Sequence, residues 1–172
     1  MAQKIKLSTI ADALGVSTAT VSVALRDSPL VADETREKIK AEARALGYIY
    51  NRRAASLRTS RSGIVGVVVH DIMNPFYAEI LRSIETELDR SRQTFILSNH
   101  YDQLDKQRNF IDTLLQLGAD GVIMSPAIDT PAEDIIRAEE NGLPTVLIAR
   151  SIQGVKSPVF RGDDSFGIGL AT

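Results

Sequence analysis

The sequence predicts a small all-helical head followed by a parallel α/β sheet, and three observations carry this. Apolar residues up to Leu46 fall at helical spacing between turn residues. From Ile64 onward, short runs rich in β-branched residues alternate with longer helical stretches. The charge divides at the same place: residues 1–61 hold 11 of the 20 Lys and Arg but only 6 of the 22 Asp and Glu. The head therefore carries +5 and the remainder −7, which the overall −2 conceals. A basic head on an acidic body points to a nucleic-acid-binding module joined to something else.

Taken in order, the first helix is expected from about Leu7 to Leu14 and the second from Ser17 to Leu25. Between Ile10 and Ser22 the residues have helix-turn-helix spacing. Ala11 is small enough for two helices to approach closely, and Gly15 supplies a turn whose positive φ is cheap only for glycine. Ser17 suits the cap of the second helix, and Val21 points back into a small core. Short polar residues then open the second helix, where a recognition helix meets base edges in the major groove. An ordinary helical hairpin shares the small–glycine–aliphatic spacing, so the basic charge is what favours DNA.

Asp27-Ser28-Pro29 reads as a loop. The third helix starts near Asp33, where the carboxylates of Asp33 and Glu34 suit the positive helix end. Ile39, Ala43 and Leu46 share one face of it, and Gly47 is the stop. Asn51–Leu57 can form a short helix with Asn51 as cap, marginal alone in water, and 58–63 is a small polar linker. The expected domains are thus a head over 1–50, a hinge helix and linker over 51–62, and an α/β domain from 63 to 172.

In that domain the expected strands are Ile64–Val69, Thr94–Ser98, Gly121–Ser125 and Thr145–Ala149, with a fifth at Ser157–Phe160. Helices Pro75–Arg92, Leu104–Leu117 and Pro131–Asn141 separate them. Asn74 fits the cap before Pro75, and proline suits the first helical position. This alternation means βαβ units, hence a Rossmann-like, buried parallel sheet.

Several function classes are disfavoured. No Gly-x-Gly-x-x-Gly follows the first strand and no Gly-x-x-x-x-Gly-Lys-Ser/Thr occurs, so a nucleotide-dependent enzyme is not indicated. His70-Asp71 lacks a nucleophile partner. Without cysteine, and with His70 and His100 the only histidines, neither a disulfide framework nor a zinc site is expected, and no cofactor is. No apolar run has the length of a membrane span, and no signal core follows Met1. The expectation is a cytoplasmic protein with no membrane contact. A solute-binding protein would suit the sheet but not the basic head.

The chain resembles the LacI/GalR family of lac-repressor-type transcriptional regulators. Ile10-Ala11…Gly15-Val16-Ser17…Thr20-Val21-Ser22 is similar to the family's helix-turn-helix, and Thr35-Arg36-Glu37-Lys38-Ile39 with Leu46-Gly47-Tyr48 to its third helix. Asn51…Ala54…Leu57 corresponds to its hinge, and Asn74-Pro75-Phe76-Tyr77 to the first loop of its effector domain. Gly118-Ala119-Asp120-Gly121-Val122-Ile123 and Asp163-Asp164…Gly167 follow in the same order.

The resemblance implies a homodimer that reads operator DNA, acts as a repressor and responds to a small-molecule effector such as a sugar. The effector domain would be periplasmic-binding-protein-like, and here incomplete, since family members are usually longer. Thr18, Ala19 and Val23 would face base edges, although many relatives carry a long polar residue where Val23 stands. Ser17, Thr20 and Ser22 would hold phosphates through their hydroxyls, or serve only as helix and cap residues. In the hinge, Asn51, Arg52, Arg53, Ala54 and Arg58 would contact DNA, or the arginines would be merely solvated. Leu57 would wedge into the minor groove, or else pack as a linker residue. Around the effector, Asp71 and Asn74 would bind hydroxyls and Phe76 and Tyr77 would stack, with Ser125 and Arg150 at strand ends. Core packing for the two aromatics, and a pure cap for Asn74, are the alternatives.

Overall fold

Helix α1 (Leu7–Leu14) stops at Gly15, whose φ of 64° places it in the left-handed region. Helix α2 (Thr18–Ala24) begins where the Ser17 hydroxyl accepts the Thr20 N–H at 3.0 Å. The two helices meet at 105°, within the range of helix-turn-helix pairs. Helix α3 (Asp33–Ala45) completes a core of Ile10, Ala11, Val21, Ala24, Val31, Ile39 and Ala43. Ile10 and Val21 are fully buried and Ile39 nearly so, each contributing about 1.5–3 kcal/mol relative to exposure. The computed structural model describes residues 5–50 and 61–161. The chain divides into two units, residues 1–52 and 53–172.

The second unit is a doubly wound sheet of five parallel strands, lying side by side in the order second, first, third, fourth, fifth along the chain. The strands are β1 (Ile64–Val69), β2 (Thr94–Asn99), β3 (Gly121–Met124), β4 (Thr145–Ile148) and β5 (Val159–Phe160). Helices α4 (Pro75–Arg90), α5 (Leu104–Leu117) and α6 (Ala132–Glu140) connect them. Alternation along β1 sorts the two faces. Val68 packs with Phe110, Ile111 and Leu114 of α5 and Ile135 and Ala138 of α6, whereas Val67 and Val69 pack with Tyr77 of α4. Gly66 lies on the α5 side, where a Cβ would stand 2.1 Å from Leu114 Cδ1, so only glycine lets α5 come this close. Strand order reverses between β1 and β3, the switch point beside which α/β sheets bind ligands at their carboxyl ends.

The architecture is the one expected from the sequence, with element ends shifted for local reasons. Helix α4 closes two residues early, because Arg92 turns left-handed (φ 55°) and the Gln93 N–H returns to the Leu88 carbonyl. Ala149 also adopts positive φ and leaves β4. β5 is only two residues long. Pro158 lacks an N–H, although its carbonyl accepts from Leu147 N at 2.8 Å. At the amino edge, the Asp120 carboxylate accepts from the N–H groups of Ser62 and Gly63 at 2.8 and 2.9 Å, tying the entry of β1 to that of β3.

Candidate functional site

In the head, Thr18 and Ala19 stand exposed at the start of α2, and Thr20 is half-buried. The Ser17 hydroxyl serves the cap and lies 2.8 Å from Thr20 Oγ1. Two of the expected contacts point elsewhere. Ser22 is buried, and its oxygen accepts from the Arg26 guanidinium at 2.9 Å. Val23 is half-buried and packs on the head core, which explains an aliphatic residue there. Asn51, Arg52, Arg53, Ala54, Leu57 and Arg58 lie outside the described residues.

The structure also qualifies the head's positive charge. Arg36 pairs with Asp33 and approaches Asp27 at 3.6 Å, while Lys40 pairs with Asp27 and Glu37. Arg36 also donates to the Val31 carbonyl at 3.2 Å, so this knot closes the loop between α2 and α3. Lys38 pairs with Glu34. The charge available to an outside anion is therefore less than the count of basic residues suggests. Asp27, at φ 59°, turns the chain into this loop.

At the carboxyl ends of the strands, residues from four strands converge. In the loop after β1, Asp71 Oδ1 accepts the Met73 N–H and Asn74 Oδ1 caps α4 by accepting the Phe76 N–H. Phe76 is half exposed, edge-to-face with Tyr77 at 5.1 Å between centroids. Tyr77 itself lies in the core, its hydroxyl 2.8 Å from the oxygen of buried Ser125. Of the six expected effector residues, Asp71, Asn74, Phe76 and Arg150 thus reach the surface, and Tyr77 with Ser125 forms a buried pair behind them.

The sequence reading missed the groups around Arg150. Its NH1 donates to Asp102 Oδ1 at 2.6 Å and to the Pro126 carbonyl at 2.9 Å. The same Asp102 oxygen accepts the Ile128 N–H at 3.0 Å. His70 Nδ1 comes within 3.0 Å of Asp102 Oδ2 but is poorly aligned for a hydrogen bond. Behind them, fully buried His100 places Nε2 2.8 Å from the Ser125 carbonyl, while its Nδ1 accepts the Asp102 N–H at 2.9 Å. A carbonyl can only accept and an N–H only donate, so His100 is the neutral tautomer with the proton on Nε2. Burial pushes its pKa below the usual histidine range, outweighing the Ser125 hydrogen bond and the Asp102 charge, which act the other way. Burial alone would raise the Asp102 pKa, but hydrogen bonds from Arg150 and Ile128, with the Arg150 charge, bring it below the usual carboxylate value. Asp102 is therefore ionised at neutral pH.

His70, His100 and Asp102 hold potential metal-ligating atoms within 4.8 Å of one another. The chemistry does not suit a cation: both His100 nitrogens are committed, and Arg150 already neutralises Asp102. One signal pointed here, since the chain's only two histidines each follow a strand directly.

Among the described residues, no single helix is long and apolar enough to cross a membrane. Residues 6–51 match the family described as bacterial regulatory proteins, lacI family, and residues 62–165 match periplasmic binding proteins and sugar binding domain of LacI family. The maltose regulon regulatory protein MalI of Escherichia coli (strain K12) is 34% identical over 152 residues, covering 87% of this chain and 44% of that protein. The ribose operon repressor of Bacillus subtilis (strain 168) is 33% identical over 162 residues, covering 94% of this chain and 48% of that protein. The chain thus spans about half the length of these curated relatives. The fold is also that of the lac repressor dimer bound to operator and an anti-inducer. The TM-score is 0.72 at 21% identity, over 98% of this chain and 52% of that one. With both units matched in order, the chain belongs to the lacI family of bacterial regulatory proteins.

Proposed function

We propose that this chain is a sequence-specific DNA-binding transcriptional regulator that represses its targets, with operator affinity set by a small effector bound at the carboxyl ends of the strands. The observation that carries the reading is α2. It is capped by Ser17, crosses α1 at 105°, and presents Thr18 and Ala19 to solvent. A hydroxyl and a methyl at that position suit hydrogen-bonded and thymine-methyl contacts in the major groove. Double-stranded DNA, a homodimer and a sugar-like effector are the partners proposed, supported by the relatives' printed roles in maltose and ribose regulation.

In this reading residues 1–50 read the base edges and 51–62 form the hinge, with Leu57 as the minor-groove wedge and Arg52, Arg53 and Arg58 on phosphates. The domain from 63 binds the effector, with Phe76 as stacking surface and Asp71, Asn74 and Arg150 as polar contacts. The effector changes DNA affinity by shifting a two-state equilibrium, so no reaction is required. Selection of bound duplexes from a random DNA pool tests the proposal. A half-site repeated with two-fold symmetry is the expected result, and a pool with no enriched sequence would refute it.

A further inference from the structure

We propose that Asp102 is a specificity-determining residue of the carboxyl-edge site: it holds Arg150 neutralised, so that the site rejects anionic ligands and admits uncharged ones. The inference rests on the effector reading above. Arg150 directly follows Ala149 at the end of β4 and is about one-third exposed, at 35%. It borders an open pocket of about 340 Å³, lined also by Ala127, Ile128, Thr130, Ile152 and Gln153. A guanidinium alone in such a place is a receptor for phosphate or carboxylate, because its planar fork matches two anionic oxygens.

Here one arm of the fork is already taken. NH1 is shared between Asp102 Oδ1 and the Pro126 carbonyl. The carboxylate cannot readily swing aside for an arriving anion, because it is fixed from several directions. Arg150 and the Ile128 N–H donate to it, and the Asp102 N–H is itself held by buried His100. An anion on the remaining edge of the guanidinium would sit beside a fixed negative charge in a partly shielded pocket. Asp129 in the same lining adds a second negative charge. The nearby cation Lys106 is placed over the Tyr101 ring, 4.9 Å from its centroid. A ligand hydroxyl meets no such repulsion and can still accept a hydrogen bond from Arg150. Asp102 also braces the loops after β2, β3 and β4, but bracing alone predicts only lost stability when it is removed, not a gained ligand.

The test titrates the full chain with inorganic phosphate at constant ionic strength, following the backbone amide signals of the lining residues Ile128, Ile152 and Gln153 by nuclear magnetic resonance. The parent should show no saturable shift. Asp102→Asn should bind phosphate with an affinity raised about tenfold or more over the parent, the equivalent of ~1.4 kcal/mol. Adding Arg150→Gln to that variant should abolish the gain. Asp102→Ser repeats the experiment if the asparagine variant has lost its native circular dichroism spectrum. A parent that binds phosphate as tightly as its variants, or folded neutral variants that gain nothing, would overturn the proposal. The readout uses neither effector nor DNA. Failure of the effector reading would appear separately, as no small molecule altering DNA affinity, with the phosphate contrast intact.

Discussion

Replacing Gly66 by alanine tests how tightly β1 is pressed onto α5. The new Cβ would lie 2.1 Å from Leu114 Cδ1, 2.8 Å from Cδ2 and 3.0 Å from Cγ. Leu114 is fully buried among Ile111, Val122, Met124 and Leu147, so its side chain has little room to retreat. Overpacking of this kind costs about 1–3 kcal/mol. Restricting the unfolded chain by Gly→Ala returns about 0.4–1 kcal/mol, which leaves a net destabilisation of about 0–2.6 kcal/mol. Leu114→Ala alone should cost about 2–5 kcal/mol through the cavity it opens. In the double variant the added methyl occupies part of that cavity, so the combined loss should fall short of the sum by about 1 kcal/mol. Urea unfolding of the four proteins, with midpoints read at constant m value, measures this coupling. If the losses add to within about 0.3 kcal/mol, the close-approach argument is refuted.

Three further outcomes are expected. Because His100 is held neutral and its pKa lowered, the unfolded chain takes up a proton that the folded chain resists. This group's stability is complete above about pH 6.5 and is lost as pH falls through the folded pKa, at up to ~1.4 kcal/mol per pH unit. Urea midpoints between pH 7.5 and about 5 should therefore fall more steeply for the parent than for His100→Asn, and parallel curves would exclude His100 as the cause. On the proposed function, Leu57→Ala should reduce DNA bending while the head stays folded, since an apolar wedge between base steps would kink the duplex. A circular-permutation gel shift showing equal bending would reject it. DNA affinity should fall steeply with salt, with a log–log slope of roughly −0.9 per phosphate neutralised. The ion pairs tying Arg36, Lys38 and Lys40 to head carboxylates keep those three out of the count, so Lys40→Gln should leave the slope unchanged.

Local chemistry determined most of the elements, because the forces that set them act within a few residues. The glycine after Leu14, the caps Ser17 and Asn74, and the aliphatic runs of the first four strands sufficed to place α1, α2, α4 and the sheet order's raw material. The division of charge at residue 61 was likewise legible, being a property of composition. What pairs with what across the fold was not. Arg150 and Asp102 are 48 residues apart, and only the parallel register that brings β1, β2 and β4 to one edge makes them neighbours. The same holds for Tyr77 and Ser125: tyrosine beside an exposed phenylalanine reads equally as ligand platform or core, and helix α4's packing on β1 decided for the core. Ser22 and Thr18 are both short hydroxyl residues on one helix, yet one is buried and accepts from the Arg26 guanidinium while the other stands exposed at the helix start. Sequence periodicity says which side of an element is apolar. Which polar groups then find each other depends on long-range geometry, and that is a property of the assembled chain.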